Sequence, residues 1–192
     1  MEKLLLGKNA IVTGGGAGIG KSIVLALAAQ GANVAIADIS EVSAAQTAQE
    51  AQALGVKAQP YFCDISKIET HEAFVSQVEQ DFGPVDILVN NAGISYAATV
   101  LEVTPEMWDR VHSINSRGTF FLSQVVFGRM MQQKKGRIIN IASISGDRPA
   151  DKSDAAYCTS KAGIIMMSKV YAKVLLYSFT AVTMERLTVQ CA

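Results

Sequence analysis

The sequence predicts an α/β fold, a doubly wound parallel β-sheet in a single domain with helices on both faces. Three observations lead to this prediction. Short apolar stretches alternate with longer amphipathic ones from the first residues to about position 176, as in a chain of βαβ units. The composition is 49% hydrophobic and 18% charged, which suits a sheet buried on both faces. The length of 192 residues, without an internal repeat or a linker, suits one domain over residues 1–192.

Five strands are predicted, each short, rich in Val, Ile or Ala, and followed by small or polar residues. In chain order they span residues 9–14, 33–38, 58–64, 86–93 and 136–143. Amphipathic periodicity predicts the helices at 18–31, 41–54, 67–82, 105–134 and 154–176. Right-handed crossovers between parallel strands then place helices on both faces of the sheet.

The composition argues against several classes of partner. Seventeen basic residues balance seventeen acidic ones, so no net field draws the chain to nucleic acid or to a membrane surface. No uncharged run approaches the roughly 18 residues of a membrane-spanning helix, and the first residues lack the apolar core of a signal peptide. Cys63, Cys158 and Cys191 are widely spaced, which predicts reduced thiols in a cytoplasmic protein. With only two histidines beside them, we expect no metal site.

The stretch TGGGAGIGKS at residues 13–22 follows the first predicted strand and fits two phosphate-binding patterns. Starting at Gly15, it matches G-x-x-x-x-G-K-S, the P-loop of nucleoside triphosphatases, which ends in Lys21 and Ser22. Starting at Gly14, it matches G-x-x-x-G-x-G, a glycine turn like those that bind the pyrophosphate of a dinucleotide. The spacing G-x-G-x-x-G is absent, so other residues must decide between an ATP-binding enzyme and a dinucleotide-binding enzyme.

Asp38 ends the second predicted strand, eighteen residues after Gly20. A carboxylate at about this spacing accepts hydrogen bonds from the adenosine ribose and repels a 2′-phosphate, and no Lys or Arg follows to attract one. The position therefore favours NAD over NADP. Two alternatives stay open: Asp38 could cap the helix that starts near Glu41, a role that Ser40 could also fill, or it could bind the metal ion of a P-loop enzyme.

Tyr157 and Lys161 are four residues apart on a predicted helix. Their Cβ atoms would then be only ~6 Å apart on one face, so that an ammonium can approach the phenol oxygen and favour its deprotonation. Such a phenol can exchange a proton with a substrate hydroxyl or carbonyl. Ser143 follows the fifth strand and can donate to a substrate oxygen. Taken alone the pair could arise by chance, with Tyr157 an aromatic residue on a helix surface.

Together these motifs resemble those of the short-chain dehydrogenase/reductase family, including 3-oxoacyl-carrier-protein reductases and sugar or polyol dehydrogenases. The matching stretches are TGGGAGIG at 13–20, NNAG at 90–93, Asn115, Ser143 of SISG, and YCTSK at 157–161. Their order and spacing agree over about residues 7–175. The resemblance implies a Rossmann-type fold and an NAD(H)-dependent oxidoreductase that interconverts a secondary alcohol and a ketone. On this interpretation the P-loop match is coincidental, and Lys21 begins a solvent-facing turn.

The resemblance also implies the roles of individual residues. Tyr157 is the general acid/base, and Lys161 favours its deprotonation and holds the nicotinamide ribose. Ser143 orients the reacting oxygen, and Asn115 holds a water in the proton relay. Asp64 and Ile65 border the adenine. The full set of implied cofactor contacts is Gly14, Gly16, Gly18, Ile19, Gly20, Asp38, Asp64, Ile65, Asn91, Ala92, Gly93, Tyr157 and Lys161.

After Leu176 the chain departs from the family pattern. RLTVQC at 186–191 resembles the start of a sixth strand, about seven residues late, and the Pro-Gly motif that normally follows is absent. We therefore expect an atypical segment at 177–192, a sheet without its last strand or strands, and a poor catalyst or a non-catalytic binder of nucleotides or of other subunits. The intact family form is expected to act on small alcohols or carbonyls as a homodimer or homotetramer.

Overall fold

The computed structural model describes residues 3–148, 154–178 and 181–187 of the chain. In this part of the chain, six parallel strands form one sheet. The strands are β1 (Asn9–Thr13), β2 (Asn33–Asp38), β3 (Ala58–Phe62), β4 (Ile87–Asn90), β5 (Lys135–Ile141) and β6 (Ala181–Leu187). Their order across the sheet is β3-β2-β1-β4-β5-β6. This order confirms the predicted doubly wound α/β architecture.

The helices cover the connections between successive strands. They are α1 (Gly18–Ala29), α2 (Glu41–Gln52), α3 (His71–Phe82), α4 (Pro105–His112), α5 (Thr119–Gln133) and α6 (Ala155–Ser178). The single helix predicted over 105–134 is wrong in one respect, because a π-helical turn at Ser113–Gly118 separates α4 from α5. A π turn adds a residue per turn without removing apolar residues from the buried face, so the periodicity did not reveal it. No described helix has the length and apolar character needed to cross a membrane.

The sheet changes its winding direction at β1. The chain moves outward from β1 through β2 to β3, and then returns to the other side of β1 with β4. Neighbouring strands whose connections leave in opposite directions open a crevice at their carboxyl ends, which is where such sheets bind ligands. Gly14 and Asn91 follow these two strand ends and therefore flank the crevice.

The core has two layers, one on each face of the sheet. Side chains alternate along β1, so Ile11 packs with Val75, Leu122 and Val126 of α3 and α5. Its neighbour Val12 packs on the opposite face with residues of α1 and α2, namely Val24, Ala28, Ala44 and Ala48. The alanines of α1 and α2 allow these helices to lie close to the sheet. Burial on both faces explains why the inner strands are continuously apolar.

The predicted sixth strand is present but shifted. β6 pairs in parallel with all seven residues of β5, from Lys135 opposite Ala181 to Ile141 opposite Leu187. The prediction of this strand at 186–191 is therefore wrong, and residues 188–191 lie outside the described residues. The strand does not start late. It begins at Ala181, soon after α6 ends at Ser178, and Ala181 pairs with Lys135 at the start of β5.

His71 begins α3 and is fully buried. The carbonyl oxygen of Ile65 lies 3.0 Å from Nε2, and a carbonyl only accepts, so Nε2 carries the proton. The Nδ1 atom is buried and has no hydrogen-bond partner among the described residues. Burial, which disfavours the charged imidazolium, lowers the pKa of His71 below its usual value.

We expect the free energy of unfolding to fall as the pH drops below about 6.5, the usual pKa of histidine. Unfolding releases His71 from its lowered pKa, so the unfolded chain binds a proton there at a pH where the folded chain does not. Urea denaturation at about pH 7.5 and about pH 5.5 measures this loss, and His71→Gln should lose less over the same interval. Equal losses in the two proteins would rule out His71 as the source.

Candidate active site

The glycine turn lies between β1 and α1. Gly14 adopts the left-handed region with a φ of 62°, which side chains disfavour. A methyl group added to Gly20 would overlap the carbonyl oxygen of Gly14, so α1 begins in direct contact with the turn. Ala17 is the N-cap of α1 and offers no capping side chain, and the first turn contains no acidic residue. The first amides of α1 can therefore donate to an anion, as phosphate sites on helices do.

The ends of β1 and β4 are fastened to each other. The Asn91 side-chain amide donates to the carbonyl oxygens of Thr13 at 3.0 Å and Gly14 at 3.1 Å. In return, the hydroxyl of Thr13 accepts from the main-chain amides of Asn91 and Ala92, both at 3.0 Å. This exchange fixes the separation of the two strand ends, and it gives Asn91 and Ala92 of the NNAG stretch a structural role.

A cavity of about 410 Å³ lies between the glycine turn, the end of β5 and the start of α6. A second cavity of about 190 Å³ lies beyond the ends of β2 and β3, and Gly14, Ala92 and Gly93 line both. Every predicted cofactor contact except Gly16 lines one of the two. The larger cavity has Gly14, Gly18, Ile19, Gly20, Asn91, Ala92, Gly93, Ser143, Tyr157 and Lys161 among its walls, and the smaller has Asp38, Asp64 and Ile65.

Asp38 holds the glycine turn as well as facing the smaller cavity. Its Oδ2 accepts from the amide of Gly16 at 2.8 Å, and its Oδ1 accepts from the amide of Ser40 at 2.9 Å. Ser40, not Asp38, caps α2 by accepting from Ser43. Because each carboxylate oxygen can accept a second hydrogen bond, the ribose hydroxyls can still donate to Asp38. The bond between Gly16 and Asp38 is one that the sequence did not reveal, and the cofactor contact of Gly16 stays a prediction.

The thiol of Cys63 forms part of the smaller cavity. Burial, together with the nearby charges of Asp64 and Asp38, raises the pKa of Cys63 to about 12. The thiol therefore stays protonated at neutral pH and acts as a small apolar wall instead of a nucleophile. Asp64 accepts hydrogen bonds from the amide and the hydroxyl of Ser66, at 3.0 and 2.6 Å, so its carboxylate is held at the rim.

Lys21 and Ser22, the last residues of the P-loop pattern, do not line either cavity. The ammonium of Lys21 lies 2.7 Å from a carboxylate oxygen of Glu50 on α2. The hydroxyl of Ser22 donates to the carbonyl oxygen of Gly18 at 3.1 Å. A P-loop needs this lysine on the phosphates and this hydroxyl on a magnesium ion. Their actual partners favour the dinucleotide pattern.

Tyr157 and Lys161 meet at the larger cavity, one turn apart on α6. The Lys161 ammonium lies 5.6 Å from the centre of the Tyr157 ring. It is buried and donates to the carbonyl oxygen of Ile141 at 2.8 Å, which fixes its position at the end of β5. A methyl group on Gly93 would come 3.4 Å from this ammonium, so the small residue after β4 leaves the ammonium room.

Ser143 stands opposite, where β5 gives way to a short 3-10 turn. Its Oγ accepts from the amide of Ser145 at 3.2 Å. This bond uses a lone pair and leaves the hydroxyl hydrogen free to donate into the cavity. Tyr157 and Lys161 on α6 and Ser143 after β5 thus line one cavity, and their catalytic roles stay predictions.

Asn115 lies behind the cavity and does not line it. Its amide nitrogen donates to the carbonyl oxygen of Ile94 at 2.8 Å and to the hydroxyl of Ser160 at 3.0 Å, while its oxygen accepts from the amide of Ile94 at 2.8 Å. These bonds tie the π turn to α6 and to the segment after β4. Holding a relay water stays a prediction for Asn115, and the side chain shows a structural task that the sequence did not indicate.

A buried polar network beneath the site was also missed. The side chain of Asn90 donates to Ser123 and to Asn140, both at 2.8 Å, and Asn140 donates to Ser168 at 2.8 Å. It joins β4, β5, α5 and α6 at the floor of the site. Asn90 ends an apolar run and Asn140 interrupts one, and that signal could have found the network. Among the described residues, no group of three His, Cys, Asp or Glu side chains could hold a metal ion.

Comparisons with known proteins agree with this geometry. Residues 8–184 match the family model described as short chain dehydrogenase. The chain is 37% identical to a 3-oxoacyl-(acyl-carrier-protein) reductase of Thermotoga maritima, over 88% of this chain and 68% of the reductase. It is 38% identical to a D-beta-hydroxybutyrate dehydrogenase of Cupriavidus necator, over 88% of this chain and 65% of that protein.

A solved structure shows the same fold. The crystal structure of an NAD+-bound xylitol dehydrogenase matches with a TM-score of 0.93 and 32% identity, over 98% of this chain and 72% of that one. The chain spans about two thirds of the length of the two curated relatives named above. From the family match over most of its length, and from these relatives, the chain belongs to the short-chain dehydrogenase family of oxidoreductases.

Proposed function

We propose that the chain is an NAD(H)-dependent oxidoreductase that interconverts a secondary alcohol and a carbonyl compound, with Tyr157 exchanging the proton. The observation that carries this proposal is the convergence of Tyr157, Lys161 and Ser143 on one cavity that begins at the glycine turn. A proton donor, a cation and a hydroxyl donor around one space suit a carbonyl oxygen that gains a proton.

We assign the parts of NAD to the two neighbouring cavities, which share Gly14, Ala92 and Gly93 as walls. The uncapped start of α1 suits the pyrophosphate, and Asp38 at the smaller cavity suits the adenosine ribose. Ile65 and Asp64 would border the adenine. Among the residues that the structure describes, two carboxylates and no Lys or Arg line the smaller cavity, so a 2′-phosphate would meet negative charge there without a cation. This supports NAD over NADP.

The chain's own residues would manage the proton and the geometry, while the bound cofactor supplies or accepts the hydride. In the reductive direction, the carbonyl oxygen of the substrate accepts hydrogen bonds from Ser143 and Tyr157 and takes the Tyr157 proton. Lys161, held in place by its bond to the carbonyl oxygen of Ile141, would stabilise the phenolate that remains and would hold the nicotinamide ribose. In the oxidative direction, the proton returns to Tyr157.

We infer the substrate class of the chain from the names of its relatives. Their names indicate a 3-oxoacyl thioester, a 3-hydroxy acid and a polyol. These belong to one chemical class, secondary alcohols and the corresponding ketones. We propose a small member of this class as the substrate of the chain, and a panel of hydroxy acids, polyols, steroids and acyl thioesters would identify it.

Calorimetric titration with NADH and NADPH, followed by turnover of the panel, tests the proposal. We expect NADH to bind more tightly than NADPH and at least one alcohol to be oxidised with NAD. Failure to bind either nucleotide would reject the proposal. Binding of NADH without turnover of any panel member would instead support a non-catalytic nucleotide-binding protein.

We also propose that the chain forms homodimers or homotetramers in the cytoplasm. Met166, Val170 and Val174 lie one turn apart on α6 and are 57%, 53% and 43% exposed. Residues at this spacing share one helix face, and an apolar stripe of this kind is typical of a protein contact. Cys63 and Cys158 are free thiols, which suits a reducing compartment. Sedimentation equilibrium of the chain and of Val170→Glu tests the assembly, and a monomeric wild type would refute it.

The P-loop alternative makes the opposite prediction for one variant. We expect Lys21→Ala to change the Kd for NADH by less than about twofold, because Lys21 pairs with Glu50 away from both cavities. A P-loop enzyme would instead bind ATP with magnesium and lose that binding in Lys21→Ala. Titrating both nucleotides against the wild type and the variant separates the two functions.

A further inference from the structure

Asp154 precedes α6, and only 7% of its surface is exposed. Its main-chain carbonyl oxygen accepts from the amide of Cys158 at 2.9 Å, the first hydrogen bond of the helix. Its side-chain Oδ1 accepts from the amide of Tyr157 at 3.2 Å. Asp154 is therefore the N-cap of α6, where a carboxylate also meets the positive end of the helix dipole. The amide that it caps belongs to the residue that exchanges the proton.

The second oxygen of the same carboxylate binds another part of the chain. Oδ2 accepts from the amide of Tyr96 at 2.7 Å, 58 residues earlier in sequence. This is the short distance typical of a bond to an ionised acceptor. A carboxylate loses its hydration on burial and needs such donors to offset the loss. Asp154 thus joins two segments, one through each oxygen.

Hydrogen bonds to distant side chains hold the segment after β4 at every second residue. Ile94 exchanges two hydrogen bonds with the side chain of Asn115, and Tyr96 donates to Asp154. The first anchor is on the π turn and the second is at the start of α6. The held segment borders the site, since Gly93 lines both cavities and Ile94 lines the smaller one. A carboxylate at position 154 therefore sets the distance between this wall and the Tyr157 turn.

We propose that Asp154 is a positioning residue for Tyr157, which it clamps at the start of α6 to residues 94–96. The inference rests on the proposed function, because it takes Tyr157 as the proton-exchanging group. Ser143 follows β5 whereas Tyr157 lies on the first turn of α6, so the distance between the two hydroxyl groups depends on how the start of α6 is held. When the clamp opens, binding of the cofactor persists, because Asn115 still anchors Ile94 and Asp38 still holds the glycine turn, and proton transfer slows.

Two variants of Asp154 remove one or both of the hydrogen bonds that its carboxylate accepts. Asp154→Asn retains one oxygen that can accept, but its NH2 group faces the other amide as donor against donor. Asp154→Ala removes both acceptors. We expect kcat to fall about tenfold in Asp154→Asn and about 100-fold in Asp154→Ala, because a displacement of ~1 Å at a reacting group lowers the rate about 100-fold. We expect the KM for NAD to change by less than about twofold in both. Asp109→Asn, which removes a carboxylate from the surface of α4, is the control and should leave both constants unchanged.

Amide hydrogen exchange tests the clamp without turnover. The amides of Tyr96 and Tyr157 should both be protected in the wild type, one of them should lose protection in Asp154→Asn, and both should lose it in Asp154→Ala. If the Asp154→Ala variant does not fold, the Asp154→Asn variant alone is sufficient for the test. Free exchange at Tyr96 in the wild type, or an unchanged kcat in Asn, would overturn the proposal. A wild type without turnover would count against the proposed function, while the exchange rates still decide whether the clamp exists.

Discussion

Tyr157→Phe is expected to lower turnover by about 10²- to 10⁴-fold, the usual contribution of a positioned general acid or base. The variant keeps the ring that lines the larger cavity and removes only the hydroxyl. On the proposed function, the substrate oxygen then lacks its proton donor, while the glycine turn, Asp38 and Lys161, the proposed cofactor contacts, are unchanged. We therefore expect the Kd for NADH to change by less than about threefold. Steady-state kinetics on the substrate found in the panel, with NADH titration, measures both quantities.

Tyr171→Phe is the matched control, because it removes a phenol oxygen from the same helix. Tyr171 is buried away from the cavity, its hydroxyl donates to the carbonyl oxygen of Phe120 at 3.2 Å, and burial raises its pKa to about 12. Losing this hydrogen bond should lower the free energy of unfolding by about 1 kcal/mol and leave kcat unchanged. Full activity in Tyr157→Phe, or an equal loss in Tyr171→Phe, would contradict the assigned proton exchange.

The sequence predicts the order and type of the strands and helices well because burial imposes periodicity. Inner strands such as β1 must be apolar on both faces, and α1 and α2 carry apolar residues at helical spacing. The positions at which the strands end are harder to predict from the sequence. Three of the predicted strands extend two or three residues beyond the observed carboxyl ends of β3, β4 and β5. There the same small and polar residues turn away to line the cavities, and the local sequence does not mark where pairing stops.

Some residues of the candidate site can be recognised from the sequence, and others cannot. Tyr157 and Lys161 are recognisable because a helix places residues four apart on one face, and the glycines of the turn are recognisable because other side chains would not fit. Asp154 and Asn115 are different, since their partners Tyr96 and Ile94 lie 58 and 21 residues away. A residue whose task is set by a distant main-chain amide leaves no spacing in the sequence. The clamp and the network of Asn90 and Asn140 therefore required the structure.

The second large effect is expected at Gly20, where substitution by Ala should weaken NADH binding strongly. The added methyl group would overlap the carbonyl oxygen of Gly14 and come 2.6 Å from the side-chain nitrogen of Asn91. Both are part of the fastening between β1 and β4, so neither can move without displacing the glycine turn. The start of α1 must then shift away from the turn, and its first amides no longer converge on one point.

We expect the Kd for NADH to rise at least about 100-fold in Gly20→Ala, which corresponds to about 2.8 kcal/mol. The free energy of unfolding should fall by about 1 to 3 kcal/mol, as is usual for overpacking. Gly128→Ala is the control, because an added methyl group there meets nothing within 4 Å on the exposed side of α5. It should stabilise the helix by about 1 kcal/mol and leave NADH binding unchanged. If Gly20→Ala binds NADH as tightly as Gly128→Ala, the pyrophosphate does not lie at this turn, and the NAD assignment fails with it.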